Sequence, residues 1–128
     1  MNRVIPIIFA LGLFGCGSAP KEIPGQPKPA AIVEMHFHSF EPKSVIVNAG
    51  EAVLWRNTTP LVWHTATFDP GMAEKSENVQ LPAGAKPFDS GKVASGGTYE
   101  HVFTTPGTYK YVCQPHEAKG MVGEITVK

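Results

Sequence analysis

Toward the carboxyl-terminal end of the 128-residue chain, Cys113, His116 and Met121 stand at Cys-x2-His-x4-Met spacing. They lie between a strand-like run, Thr108 to Val112, and a second run in which Val122, Glu124 and Thr126 alternate with Gly123, Ile125 and Val127. A loop joining two neighbouring strands brings a thiolate, an imidazole and a thioether to one point. One soft thiolate, imidazole nitrogen and a weak axial methionine are the donors of a mononuclear blue-copper centre, provided a second histidine completes the set. His64 is the candidate, because it follows Val53-Leu-Trp-Arg-Asn57 and Trp63 and so stands near the start of a hydrophobic strand. Singly, a Cys, His or Met is more often a packed or surface residue; it is the four in this order that point to a metal.

Such a centre suits exchange of single electrons. Cu(II) favours tetragonal and Cu(I) tetrahedral surroundings, and a His2Cys plane with a weak axial sulfur satisfies neither fully, so little need move when an electron arrives. Four protein donors leave no open position for water or a small-molecule substrate, which argues against catalysis at the metal. His64 is 49 positions from Cys113, so only the folded domain brings the donors together.

The elements that must do this read as short strands. In Ile32-Val-Glu-Met-His-Phe-His38, alternation places Ile32, Glu34, His36 and His38 on a polar face and Val33, Met35 and Phe37 toward the core. His36 and His38 have no third ligand nearby in sequence, and a solvated face accounts for them. Phe40-Glu-Pro42 breaks the run; Ser44 to Val47 begins another that ends in the turn Asn48-Ala-Gly50, and Glu51 to Asn57 resumes it with Val53 and Trp55 on one face. Asn57-Thr58-Thr59 matches a glycosylation sequon by coincidence. Leu61 and Val62 precede the candidate ligand, and both core packing and a hydrophobic rim around the metal remain open for them. A helical turn is expected around Ala73 to Asn78. Thr98 to Phe103 and Thr108 to Val112 are two more strands, separated by the turn signal Thr104-Thr-Pro-Gly107. His101 shares the face of Tyr99 and Phe103 and is expected to be a packed, hydrogen-bonded histidine. Seven to eight short strands with frequent turns and no long helix give an all-β sandwich.

Composition agrees with one such domain. The chain is 42% hydrophobic and 17% charged, with 13 Gly and 12 Pro, as many-turned β-proteins are. Lys+Arg and Asp+Glu each total 11, which gives no electrostatic reason to expect nucleic acid as a partner.

The amino-terminal segment reads differently. A short positive start, Met1-Asn-Arg3, precedes the apolar run Val4 to Phe14, too short to span a bilayer but suited to a signal peptide. The run ends in Leu13-Phe14-Gly15-Cys16, which resembles a bacterial lipobox. The resemblance implies removal of residues 1–15 and a diacylglyceryl group on Cys16. Residues 16–30 form a tether with prolines at 20, 24, 27 and 29, extended and semi-rigid. Residues 31–128 are the folded domain. Cys16 and Cys113 therefore have uses that exclude a mutual disulfide.

From Ile32 to Lys128 the chain resembles the cupredoxins, and within them plastocyanin-like and halocyanin-like proteins. The resemblance is carried by Phe40-Glu-Pro42, Val47-Asn-Ala-Gly50, Val53-Leu-Trp55 with Asn57, His64-Thr-Ala, Phe103-Thr-Thr-Pro-Gly-Thr-Tyr109, Tyr111-Val-Cys113-Gln-Pro-His116 and Gly120-Met121-Val-Gly123. It implies a cupredoxin-like Greek-key fold and one type 1 copper held by His64, Cys113, His116 and Met121. It also implies an electron port at His116, with Leu61, Val62, Pro115, Ala118 and Met121 as its apolar surroundings. Thr65 stands where plastocyanin-like proteins often have asparagine, which bears on the hydrogen bond tying the two ligand loops together. Thr65, Pro115 and Asn57 are the residues expected just outside the ligands. Pro115 has no N–H, so one backbone hydrogen bond to the sulfur is absent, which favours Cu(II) and lowers the potential.

The expectation is a membrane-tethered periplasmic or cell-surface carrier, monomeric, exchanging electrons between a donor and an acceptor redox protein. The alternative is a copper carrier or sensor in metal handling. An enzyme is disfavoured, since oxidases and nitrite reductases with cupredoxin domains need further histidine-rich copper sites and the chain has five histidines.

Overall fold

The structure is a computed structural model that describes residues 28–128. The expected signal peptide, the lipidated Cys16 and most of the proline-rich tether lie outside the described residues. Among the described residues no helix is long and apolar enough to cross a membrane.

Among the described residues nine strands are formed: β1 (Ala31–Met35), β2 (Phe40–Glu41), β3 (Ser44–Val47), β4 (Glu51–Asn57), β5 (Thr67–Phe68), β6 (Phe88–Asp89), β7 (Thr98–Phe103), β8 (Gly107–Val112) and β9 (Val122–Val127). Three of them are only two residues long, which accounts for the excess over seven to eight. One sheet has the order β2-β1-β4-β7, the other β3-β9-β8-β5-β6. Both are mixed, with β1 parallel to β4 and β3 parallel to β9. Sheets with one face buried show period-2 alternation, and β4 and β9 do so: Val53, Trp55 and Asn57 face inward, as do Gly123, Ile125 and Val127.

An aromatic cluster fills the core. The Trp55 indole donates to the Tyr111 hydroxyl at 3.1 Å, and the Phe68 ring stacks between Tyr111 and Phe88 at 4.6 and 4.4 Å. Gly123, opposite Tyr111 in the β8–β9 ladder, leaves room for that phenol: a Cβ there would lie 2.5 Å from its Cζ. The Tyr109 hydroxyl donates to the Thr105 carbonyl at 2.7 Å and pins the β7–β8 turn.

Two expectations are corrected. Alternation through His38 was expected to send Phe37 inward, but β1 stops at Met35. The His36 amide bonds the Ser39 carbonyl at 2.9 Å, and the chain turns back so that Met35 pairs with Phe40. The turn reverses direction before Phe37 reaches the core, leaving it 58% exposed while Phe40 is buried. Likewise β4 does not resume β3. Asn48-Ala-Gly50 carries the chain across to the other sheet, because β3 pairs with β9 and β4 with β1 and β7. Of the turn expected around Ala73 to Asn78, Ser76–Asn78 form a short 3-10 helix, and a second one, Pro70–Met72, precedes the expected range. The packing expected of His101 is found, through stacking in place of a hydrogen bond: its ring lies flat on Phe88 at 3.7 Å, and burial lowers its pKa.

Candidate metal centre

His64 is placed by an isolated bridge with Val93: the His64 amide donates to the Val93 carbonyl at 3.1 Å, and the His64 carbonyl accepts from the Val93 amide at 2.8 Å. The loop before it is folded around Asn57. That fully buried amide donates to the Val62 and Val93 carbonyls at 2.7 and 2.9 Å and accepts from the Thr59 amide at 2.9 Å. The buried Asn57 side chain is thus spent on holding this loop. Leu61 stands at the tip of this loop, wholly exposed and at φ 60°, a left-handed conformation that costs a non-glycine residue about 1–2 kcal/mol. Between the two readings open for Leu61, core packing is thus excluded.

The other donors come from the β8–β9 connection. Cys113 directly follows β8, and Gln114–Lys119 form a 3-10 helix closed by Gly120 at φ 82°. The Cys113 amide donates to the Met121 carbonyl at 3.0 Å, and the Met121 amide to the His116 carbonyl at 3.2 Å. These bonds cinch the three candidate ligands into one small loop. Met121 is fully buried.

His64, Cys113 and His116 form a group able to hold a metal ion. His64 Nδ1 lies 3.1 Å from His116 Nδ1, and each nitrogen is 3.5 Å from Cys113 Sγ. A circle through three points so spaced has a radius of about 2.0 Å, matching metal–nitrogen and metal–sulfur bonds of about 2.0–2.3 Å. Cys113 is a free, fully buried thiol. Burial pushes its pKa up, against hydrogen bonds from Thr65 and the His116 backbone. His64 is pushed down to about 4 by burial, then by the His116 and His38 charges; His116 is lowered by burial and by His38. Both imidazoles are therefore neutral at pH 7 and offer lone pairs.

The surroundings fix these groups. The Thr65 amide points at Cys113 Sγ at 3.4 Å, and its hydroxyl accepts from the Gln114 amide at 2.9 Å. Threonine thus supplies the tie between ligand loops. Pro115 and Ala118 are exposed, Val62 and His116 partly so. His36 and His38 part company: His36 lies 3.4 Å from a Glu34 carboxylate oxygen, while the His38 ring sits 5.4 Å from that of His116.

Two buried residues had no local sequence signal. The Thr59 hydroxyl contacts the His64 ring, and Glu117 accepts from the Glu74 and Lys75 amides at 2.6 and 3.4 Å. With the Gln114 side-chain amide on the Met72 carbonyl at 3.1 Å, Glu117 pins the segment holding both short 3-10 helices onto the ligand loop. Their partners lie in distant sequence, or, for Thr59, behind an apparent sequon.

A β-sandwich that gathers two imidazoles and one thiolate at the ends of its strands defines a cupredoxin, whose cofactor is one type 1 copper. The chain belongs to the plastocyanin/azurin family of copper-binding proteins, whose family model matches residues 30–128. It is 38% identical over 89 residues to plastocyanin of Scenedesmus fuscus, covering 70% of this chain and 86% of that protein. It is 34% identical to plastocyanin A/B of Petroselinum crispum, covering 69% and 86%. In fold it is similar to a reduced single-site mutant of amicyanin, with a TM-score of 0.61 over 81% of this chain and 87% of that one, at 23% identity.

Proposed function

We propose that the protein is a one-electron carrier whose single type 1 copper is held by His64, Cys113 and His116, with the buried Met121 thioether as the weak fourth donor. The observation that carries this is the triangle of two imidazole nitrogens and one cysteine sulfur, with sides of 3.1 and 3.5 Å. When bound, copper alternates between Cu(II) and Cu(I) and so accepts and returns one electron. The chain's part is to hold its donors in one arrangement for both states. The Cys113–Met121 and Met121–His116 backbone bonds fix one loop, the Val93 bridge fixes the other, and Thr65 joins them. Neutral imidazoles and a thiol that sheds its proton on binding supply the lone pairs.

His116 is the electron port, being the donor on the partly exposed side, with Pro115, Ala118, Leu61 and Val62 as the apolar surface offered to a redox partner. The chain acts as a monomeric carrier and not as an enzyme, since protein donors fill every position. Export with anchoring through Cys16 completes the reading; it is supported by the lipobox-like Leu13-Phe14-Gly15-Cys16 and the proline-rich stretch after it.

The optical spectrum of the copper-loaded protein tests the reading. An intense band near ~600 nm is the mark of thiolate-to-copper bonding. Its absence sinks the type 1 assignment, and ready surrender of Cu(I) to a competing protein would favour metal handling.

A further inference from the structure

We infer that Thr59 is the positioning residue that fixes which nitrogen of His64 faces the thiolate; this rests on the copper reading above. Thr59 is 2% exposed. Its Oγ1 lies 2.9 Å from the Met35 carbonyl oxygen and 3.1 Å from His64 Nε2. A hydroxyl has one proton to donate, and a carbonyl oxygen only accepts. The Thr58 hydroxyl reaches the same carbonyl only at 3.4 Å, so Thr59 is its nearer donor. With that proton committed to Met35, Thr59 Oγ1 presents a lone pair to His64, and Nε2 must carry the imidazole proton. Nδ1 is then bare, on the side facing Cys113 Sγ and His116 Nδ1.

The hydroxyl acts through His64 and is itself held at both ends. Its backbone amide donates to Asn57 Oδ1 at 2.9 Å, and its acceptor is the last residue of β1. A chain of bonds therefore runs from the first strand of one sheet to a donor aimed at the other, setting both the tautomer and the tilt of the ring. A partner on the outer nitrogen of a ligating histidine also raises its basicity, so Thr59 strengthens His64 as a donor to Cu(II).

The test uses the whole protein with copper alone as probe. Thr59→Val keeps the shape and removes the hydroxyl; Thr59→Ser keeps the hydroxyl. Thr59→Val is expected to lower Cu(II) affinity in chelator competition by about tenfold or more, and to move the midpoint potential upward. Thr59→Ser should restore both. In the wild-type Cu(I) form, proton–nitrogen NMR is expected to show His64 Nε2 protonated, with its proton shielded from exchange. Should Thr59→Val fold poorly, an Nε2 proton that exchanges as freely as that of exposed His36 would overturn the assignment. So would a folded Thr59→Val with wild-type affinity and potential. Lack of blue absorption in the wild-type protein would instead overturn the copper reading, whatever Thr59 does.

Discussion

The Gln114 amide donates to the Thr65 hydroxyl at 2.9 Å, closing a gap of 49 residues between the two ligand loops. The hydroxyl proton passes the relay on to Thr67 at 2.8 Å, and Thr67 donates to Asp89 at 2.6 Å. A run of hydrogen bonds ending on a carboxylate is mutually reinforcing in a buried setting. Thr65→Val strands the Gln114 amide and cuts the relay. A loss of about 1–3 kcal/mol is expected in urea unfolding of the metal-free protein, with a shifted or broadened blue band. Unchanged stability and spectrum would show the tie to be dispensable.

Acid should loosen the metal-free protein. His64 falls from 6.5 to about 4 on folding, chiefly through burial. Between those values the unfolded chain binds a proton that the folded one refuses, so stability rises with pH across this window. It is full above about pH 6.5 and falls as pH drops toward 4, by on the order of 3 kcal/mol from His64 alone. Urea midpoints measured at pH 7.5 and pH 4.5 check this; equal midpoints would refute it.

Gly123→Ala should strike the core behind the site. The added methyl meets the Tyr111 ring at 2.5 Å, and that ring is held by the Trp55 indole and packed on Phe40 and Phe68. Overpacking of this kind costs about 1–3 kcal/mol. Calorimetry should show a lowered Tm, and because Tyr111 is two residues from Cys113, the blue band should move too.

Pro115 offers no amide to Cys113 Sγ, which receives the Thr65 amide at 3.4 Å. Pro115→Ala supplies an N–H that draws charge from the thiolate and disfavours Cu(II). Voltammetry is expected to show a higher midpoint potential, and an equal or lower one would remove the idea.

Leu61 is fully exposed, so Leu61→Lys should leave stability within about 0.5 kcal/mol. The blue absorption should persist while electron exchange with a partner slows. An unchanged exchange rate would place the port away from this rim.

Much of the candidate site was legible because its members carry chemistry in their residue types. Cys113, His116 and Met121 share one short loop, and His64 stands three residues before the buried β5. The alternation of β4 and β9 was equally plain, since one buried face enforces period 2. Phe37 misled because alternation says nothing about where a strand stops; a single backbone bond between His36 and Ser39 decides that. Thr59 and Glu117 stayed hidden for another reason. A threonine or glutamate is named as a partner only by what the fold brings to it, and Glu117 meets amides 43 and 42 positions away.

The strand after the ligand loop, β9, is inserted between β3 and β8. Completing that sheet and gathering Cys113, His116 and Met121 therefore draw on one short stretch of chain, so a change that unseats β9 from between its neighbours reaches the ligand loop as well.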